Sequence, residues 1–144
     1  MVLACYALSY LTCETCVLLQ DQTCKRLVEF TLHKSLSLSG AALGVVGNIV
    51  RWGCFKQFKC LIGDCQLLQC LRNKVLCSKF QKLRMEGCQI ISNMAAQIRT
   101  LKNDIDEPSL ICLLCKLLEE DDSDVRMEAA WAIFYTHSKT YPLR

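Results

Sequence analysis

Four short segments of this sequence echo one another at a spacing close to forty residues, and that recurrence limits the fold more than any other feature. They are CYALSYLT from Cys5, LGVVGNIV from Leu43, CQIISNMA from Cys88 and AWAIFYTH from Ala130. Each sets one distinctive residue at the same place in an apolar run: Tyr6, Gly44, Gln89 and Trp131, which lie 38, 45 and 42 residues apart. Spacings near forty mark stacked helical units, because a unit of about forty residues cannot bury its apolar face alone and must lay it on the next.

The same order of parts recurs between the copies: a Leu-rich helix, a polar turn, then the helix that carries the signature. In the last unit Leu110, Leu113, Leu114, Leu117 and Leu118 recur at steps of three and four, which sets them along one helical face. Pro108 suits the first turn of that helix, where its missing N–H costs little, with Asp106 or Glu107 just before it. The acidic turn from Glu119 to Asp124 ends it, and Ser123 or Asp124 is the expected cap of the helix bearing Trp131. The middle unit answers with Leu67, Leu68, Leu71, Val75 and Leu76 before a helix from about Lys79, and the first with Leu27, Val28 and Phe30 before Ser35. Only two prolines and six glycines occur in 144 residues of 52% hydrophobic composition, too few turn residues for many short strands. The sequence therefore predicts one all-α unit over residues 1–144, three to four repeats with signature helices near 3–12, 40–51, 80–96 and 124–138. This period belongs to solenoids of the armadillo and HEAT kind. The outermost units should expose apolar surface, and the absence of a polar capping repeat reads as a segment of a longer array or a shortened one.

Twelve cysteines could suggest a secreted disulfide scaffold, but they sit in apolar helical runs where Leu or Ala would also fit, so they read as buried, reduced thiols. Cys13–Cys16 and Cys112–Cys115 have CxxC spacing, yet no His joins either pair at ligand spacing, and neither metal nor cofactor is expected. His33 and His137 are isolated and read as helix-end residues. The apolar opening lacks the basic flank of a signal peptide, and the uncharged run from Ser35 to Val50 is shorter than the about 18 apolar residues of a membrane span. No Ser–His–Asp set, phosphate loop or carboxylate pair at a useful spacing appears, so no enzyme is expected.

The net charge of +3 is unevenly placed. Residues 1–100 carry twelve Lys/Arg against five Asp/Glu, and residues 101–144 carry five against nine. Arg51, Lys56, Lys59, Arg72, Lys74, Lys79, Lys82 and Arg84 face only Asp64 as a nearby acid. Such a cluster is usually a solvated face, but it leaves a charge-driven nucleic-acid role as the rival reading, settled by whether those cations line a groove or the opposite side.

The stretches ACYALSYLT, CKRLVEFTLHKS, ALGVVGNIV, EGCQIISNMAA and MEAAWAIFYT resemble the later armadillo repeats of the importin alpha family, in the family's order and nearly its spacing. The resemblance implies a right-handed armadillo α-solenoid, here a partial array, whose third helices line a concave groove for basic nuclear localisation signals. It implies work in the cytoplasm and the nucleus, with cargo signal peptides as partners rather than a membrane or nucleic acid. No arm matching the family's importin beta-binding segment is read in the sequence. In the family each unit offers a Trp and an Asn one turn apart; an indole at that place can stack on the stem of a Lys or Arg while the amide bonds the peptide backbone. The matching pairs here are Tyr6 with Tyr10, Gly44 with Asn48, Gln89 with Asn93, and Trp131 with Tyr135. Asn48 and Asn93 match the backbone-binding amides, Trp131 a groove Trp, Tyr10 an aromatic the family also uses, and Glu86 and Glu128 groove-side acids. Asn48 and Asn93 also fit ordinary helix asparagines, and Trp131 also fits a core position. Tyr6, Gln89 and Tyr135 depart from the pattern, Gly44 stands where an Arg is usual, and Cys13 and Cys54 replace acids. With no unit keeping Trp and Asn together, the expected binding is weak.

Overall fold

The structure is a computed structural model that describes residues 1–14, 21–52, 55–97, 108–119 and 122–137. The described residues form helices and turns without strands: α1 (Val2–Glu14), α2 (Asp21–Thr31), α3 (Leu36–Trp52), α4 (Phe55–Ile62), α5 (Leu67–Cys70), α6 (Gln81–Gln97), α7 (Pro108–Leu118) and α8 (Ser123–His137). None of them is long and apolar enough to cross a membrane.

The four signature segments form α1, α3, α6 and α8, which pack in that order, each against the next. The shorter helices cover one side of this rank: α2 lies on α3, α4 on α2, and α7 on α8. The spacing of apolar residues explains the arrangement. In α7, Leu110, Leu114 and Leu117 follow one another at four and three residues and are buried, while Cys112 and Cys115 on the opposite face are exposed. Each such leucine contributes on the order of 1.5–3 kcal/mol through burial. The core is one cluster from Cys5 to Tyr135, with Leu43, Ile49, Leu61, Leu67, Leu71, Ile91 and Met94 enclosed at its middle. The outermost helices keep an apolar face in solvent: Leu3 and Tyr6 on α1, Met127 and Phe134 on α8.

Helix ends follow side-chain chemistry. Ser35 Oγ accepts from the N–H of Leu38 at 3.4 Å to open α3, and His33 Nδ1 accepts from the N–H of Ser35 at 3.0 Å. Pro108 is the first residue of α7. The cap of α8 is Asp122 and not Ser123 or Asp124: its Oδ1 accepts from the N–H groups of Asp124 at 3.0 Å and Val125 at 3.3 Å. A carboxylate one residue earlier reaches both open donors, which neither later residue can do from inside the first turn. Asp106 and Glu107 lie outside the described residues.

Between α5 and α6 the chain makes a π-helical turn over Leu71–Val75, closed by the N–H of Leu76 donating to the carbonyl of Leu71 at 2.9 Å. That turn pushes Val75 and Leu76 against Gly87 of α6, where an added Cβ would stand 2.9 Å from Val75 Cγ1 and 3.0 Å from Leu76 Cδ2. Glycine is what lets the two segments approach so closely.

The reading of every thiol as buried needs correction. Cys5, Cys24, Cys60 and Cys88 are buried, but Cys77, Cys112 and Cys115 are exposed. A leucine-rich run marks a helix with an apolar face, and the residues between its leucines turn away from the core. Cys16 and Cys54 lie outside the described residues, as does the side chain of Cys13. Among the described residues no group of three or more His, Cys, Asp or Glu could hold a metal ion.

Candidate functional site

Two clefts run into one another across α3, α6 and α8. The first, about 220 Å³, lies between α3 and α6 and is lined by Gly44, Asn48 and Arg51 from one side and Glu86, Gln89 and Asn93 from the other. The second, about 50 Å³, adds Glu128 and Tyr135 of α8 to Arg51, Gln89, Ser92 and Asn93. Arg51, Gln89 and Asn93 border both, so together the clefts make one groove across three successive signature helices. Helical periodicity puts these residues there. Gly44, Asn48 and Arg51 stand at i, i+4 and i+7 of α3, Glu86, Gln89 and Asn93 at i, i+3 and i+7 of α6, and Glu128 and Tyr135 seven apart on α8.

The groove therefore brings together four of the six residues singled out from the sequence: Asn48, Asn93, Glu86 and Glu128. Trp131 does not line either cleft. Its half-buried ring packs against the core and stacks on Tyr135 at 5.8 Å with planes 25° apart, while Phe134 meets it edge-on at 5.8 Å. Tyr135 lines the second cleft, stacked against Trp131. Tyr10 belongs to α1, but its side chain lies outside the described residues. Tyr6 is exposed on the same helix.

The electrostatics of the groove are set by three charges. Glu86 Oε2 is buried and has no hydrogen-bond partner. Burial pushes its carboxyl above the usual 4.5, and Lys82 one turn earlier partly draws it back. Leu43, Met85 and Ile90 also line the cleft that it borders. Glu128 is half-buried in the second cleft. Arg51, which borders both clefts, is an exposed cation whose guanidinium lies 5.0 Å from the Trp52 ring centroid and whose main-chain carbonyl accepts from Gln97 Nε2 at 2.7 Å.

Arg51 was legible in the sequence only as part of a basic cluster; its seven-residue offset from Gly44 was the signal that it shares the groove face. The other seven cations of that cluster line neither cleft. Lys56, Lys59, Lys74, Lys79 and Lys82 are exposed, Arg72 donates to Asn73 and Ser109, and Arg84 donates to the Ser78 carbonyl at 2.8 Å. The arrangement offers amides, acids and one cation to an elongated ligand.

Comparison with known proteins agrees with this fold. The family model of the Armadillo/beta-catenin-like repeat matches residues 104–135. Solved structures with the same fold include a designed armadillo repeat protein in complex with the peptide (KR)4, with a TM-score of 0.81 over 94% of this chain and 57% of that one at 20% identity. Another is a computationally designed armadillo repeat protein for modular peptide recognition, with a TM-score of 0.77 over 93% of this chain and 57% of that one at 21% identity. The chain is thus an all-α armadillo solenoid. Within that class it is similar to importin alpha: it is 40% identical over 97 residues, 65% of its length, to importin subunit alpha-1a of Oryza sativa subsp. japonica. Importin subunit alpha-1b of the same plant is 38% identical over 89 residues, 59% of the chain. The chain spans 18% and 16% of the length of these two relatives.

Proposed function

We propose that this armadillo stack binds extended, basic peptide segments of the nuclear localisation signal type along the groove of α3, α6 and α8, as a carrier scaffold and not as an enzyme. The observation that carries the reading is the meeting of Asn48, Asn93, Glu86 and Glu128, from three separate helices, on one groove. Side-chain amides can hold the backbone of an extended strand, and the acids can receive its cations. Binding is weak on this reading, because Gly44 offers no ring and Trp131 lines neither cleft. The same reading implies work in the cytoplasm and the nucleus; a fluorescent fusion confined to any other compartment counts against it.

Titration of a labelled Lys/Arg-rich signal peptide by fluorescence anisotropy tests the assignment. Asn93→Ala should weaken binding about five-fold, the equivalent of a lost hydrogen bond of about 1 kcal/mol. Cys112→Ala, on the exposed face of α7, should leave it unchanged. Equal affinity in wild type and Asn93→Ala would remove the groove from the explanation even with the fold correct.

A further inference from the structure

We propose that copies of this chain join head to tail, the exposed face of α8 on one copy seating α1 of the next. The register of the interfaces inside the stack carries this, independently of peptide binding.

One signature helix meets the next in a fixed register. A Cβ on Gly40 would stand 4.0 Å from Leu83 Cδ2 and one on Gly47 3.5 Å from Ile90 Cγ1, so α3 and α6 run parallel. Counted from the signature residues Gly44 and Gln89, positions four before and three after on α3 face positions six before and one after on α6. Burial repeats this register along the rank. One position after the signature residue, Val45, Ile90 and Ala132 are buried, whereas Ala7 of α1, the first helix of the rank, is exposed. Two positions before it, Ala42, Gly87 and Ala129 are buried and Ala4 is exposed. The last helix shows the converse. One position before the signature residue, Cys5, Leu43 and Cys88 are buried, whereas Ala130 of α8 is exposed. Three positions after it, Ser92 is buried and Phe134 is exposed. Four positions before it, Gly40 and Met85 are half-buried and Met127 is exposed. Each end of the stack thus keeps bare one half of the interface that the inner helices complete.

The two bare halves fit each other in size. Between α3 and α6 the earlier helix supplies Gly47 and the later one Ile90; at the ends the sizes trade, with Phe134 on α8 and Ala7 on α1. The same register sets Phe134 opposite Ala7 and Ala130 opposite Leu3, which is 82% exposed. A large side chain then meets a small one at each contact, as close packing of two helices requires. Leu3, Ala4 and Ala7 on one face and Met127, Ala130 and Phe134 on the other carry no charge, so joining them strands no ion. The contact continues the interface already present between α3 and α6, which is why a second copy is the occupant. Unlike faces meet, so the pairing does not close and further copies add in a row.

Sedimentation velocity of the full chain over a range of concentrations tests this, with Ala7→Lys and Ala130→Lys as variants. Each sets a charge on one bare face, at an exposed alanine that has little packing to lose, and circular dichroism of each verifies the fold. Wild type should shift from monomer to dimer and larger species as concentration rises, and each variant alone should lose that shift. An equal mixture of the two variants holds one intact α1 face and one intact α8 face, so it should regain a dimer and nothing larger. Phe134→Ala should weaken wild-type association by about ten-fold, as truncating an aromatic anchor does. Wild type that stays monomeric at every concentration overturns the inference and leaves both faces to helices of another polypeptide. A single variant that dimerises alone means that like faces pair with like, and a mixture that grows past the dimer means indiscriminate apolar association; either result overturns the head-to-tail pairing.

Discussion

A carboxylate loses solvation when its oxygen is enclosed, and Glu86 Oε2 is enclosed near Leu43, Met85 and Ile90 without a hydrogen bond. Its pKa in the folded chain is raised above 4.5 by burial, opposed by Lys82, and Arg51 borders the same cleft. Between 4.5 and that raised value the folded chain binds more protons than the unfolded one, so this group's contribution makes stability fall as pH rises through the window. Glu86→Gln should raise the urea midpoint at neutral pH and leave it nearly unchanged below 4.5, a difference that disappears if the charge is well solvated. Thiols differ in the same way. Cys24 and Cys88 are fully buried, and Cys65 is pushed up to about 12, first by burial and then by its hydrogen bond with Cys60 at a sulfur separation of 3.8 Å. Cys77, Cys112 and Cys115 are exposed. Iodoacetamide should thus label these three in the folded chain while Cys24, Cys65 and Cys88 wait for denaturant, as peptide mass spectrometry can read. At this scale the sequence was a partial guide. Residue type suggested burial for every thiol, whereas position on the helix decided it.

Glycines inside helices show how element packing overrides local preference. Replacing a helical Gly by Ala gains up to about 1 kcal/mol of backbone propensity, provided the new methyl has room. At Gly47 of α3 a Cβ would meet Ile90 Cγ1 at 3.5 Å, an ordinary contact, so Gly47→Ala should stabilise by roughly 0.5–1 kcal/mol. At Gly87 of α6 it would press on Val75 and Leu76, both buried and held by the π-turn. Overpacking of that kind costs about 1–3 kcal/mol, so Gly87→Ala should be net destabilising by about 1 kcal/mol. Chemical denaturation of the two variants side by side would show opposite shifts; a gain at both positions would mean that the turn yields freely. The π-turn also marks the limit of legibility among the elements. The period of Tyr6, Gly44, Gln89 and Trp131 picked out segments that form α1, α3, α6 and α8, because the same interface is rebuilt at each step. Leu67 to Leu76 read as a plain leucine helix, since nothing in an apolar spacing distinguishes a bond to the fourth residue from one to the fifth. The groove acids and amides were legible for the same reason as the helices, through their fixed offset from the signature position. Arg51 was hidden by its neighbours in sequence, and Tyr135 by the more conspicuous Trp131.

In a stack where each unit touches only its neighbours, stability is highest where a helix is covered from both sides. α3 packs on α1, α2 and α6, and α6 packs on α3, α8 and the π-turn, whereas α1 packs chiefly on α3 and α8 on α6 and α7. The outermost helices accordingly leave large apolar groups in water: Leu3 is 82% exposed and Tyr6 47%, Met127 53% and Phe134 44%. Amide hydrogen exchange should therefore be slowest in the middle of α3 and α6, around Ile49 and Ile91, and faster toward α1 and α8. Destabilising one end, for example by Leu114→Ala, which removes a fully buried side chain at a cost of about 2–5 kcal/mol, should speed exchange in α7 and α8 much more than in α1 and α3. A change that spread equally to all helices would show that the chain opens as one cooperative unit. The groove draws on three helices, so the two outcomes also differ in function. With graded opening, Leu114→Ala weakens contacts at Glu128 and Tyr135 while those at Asn48 and Glu86 persist; with a single transition all of them are lost together.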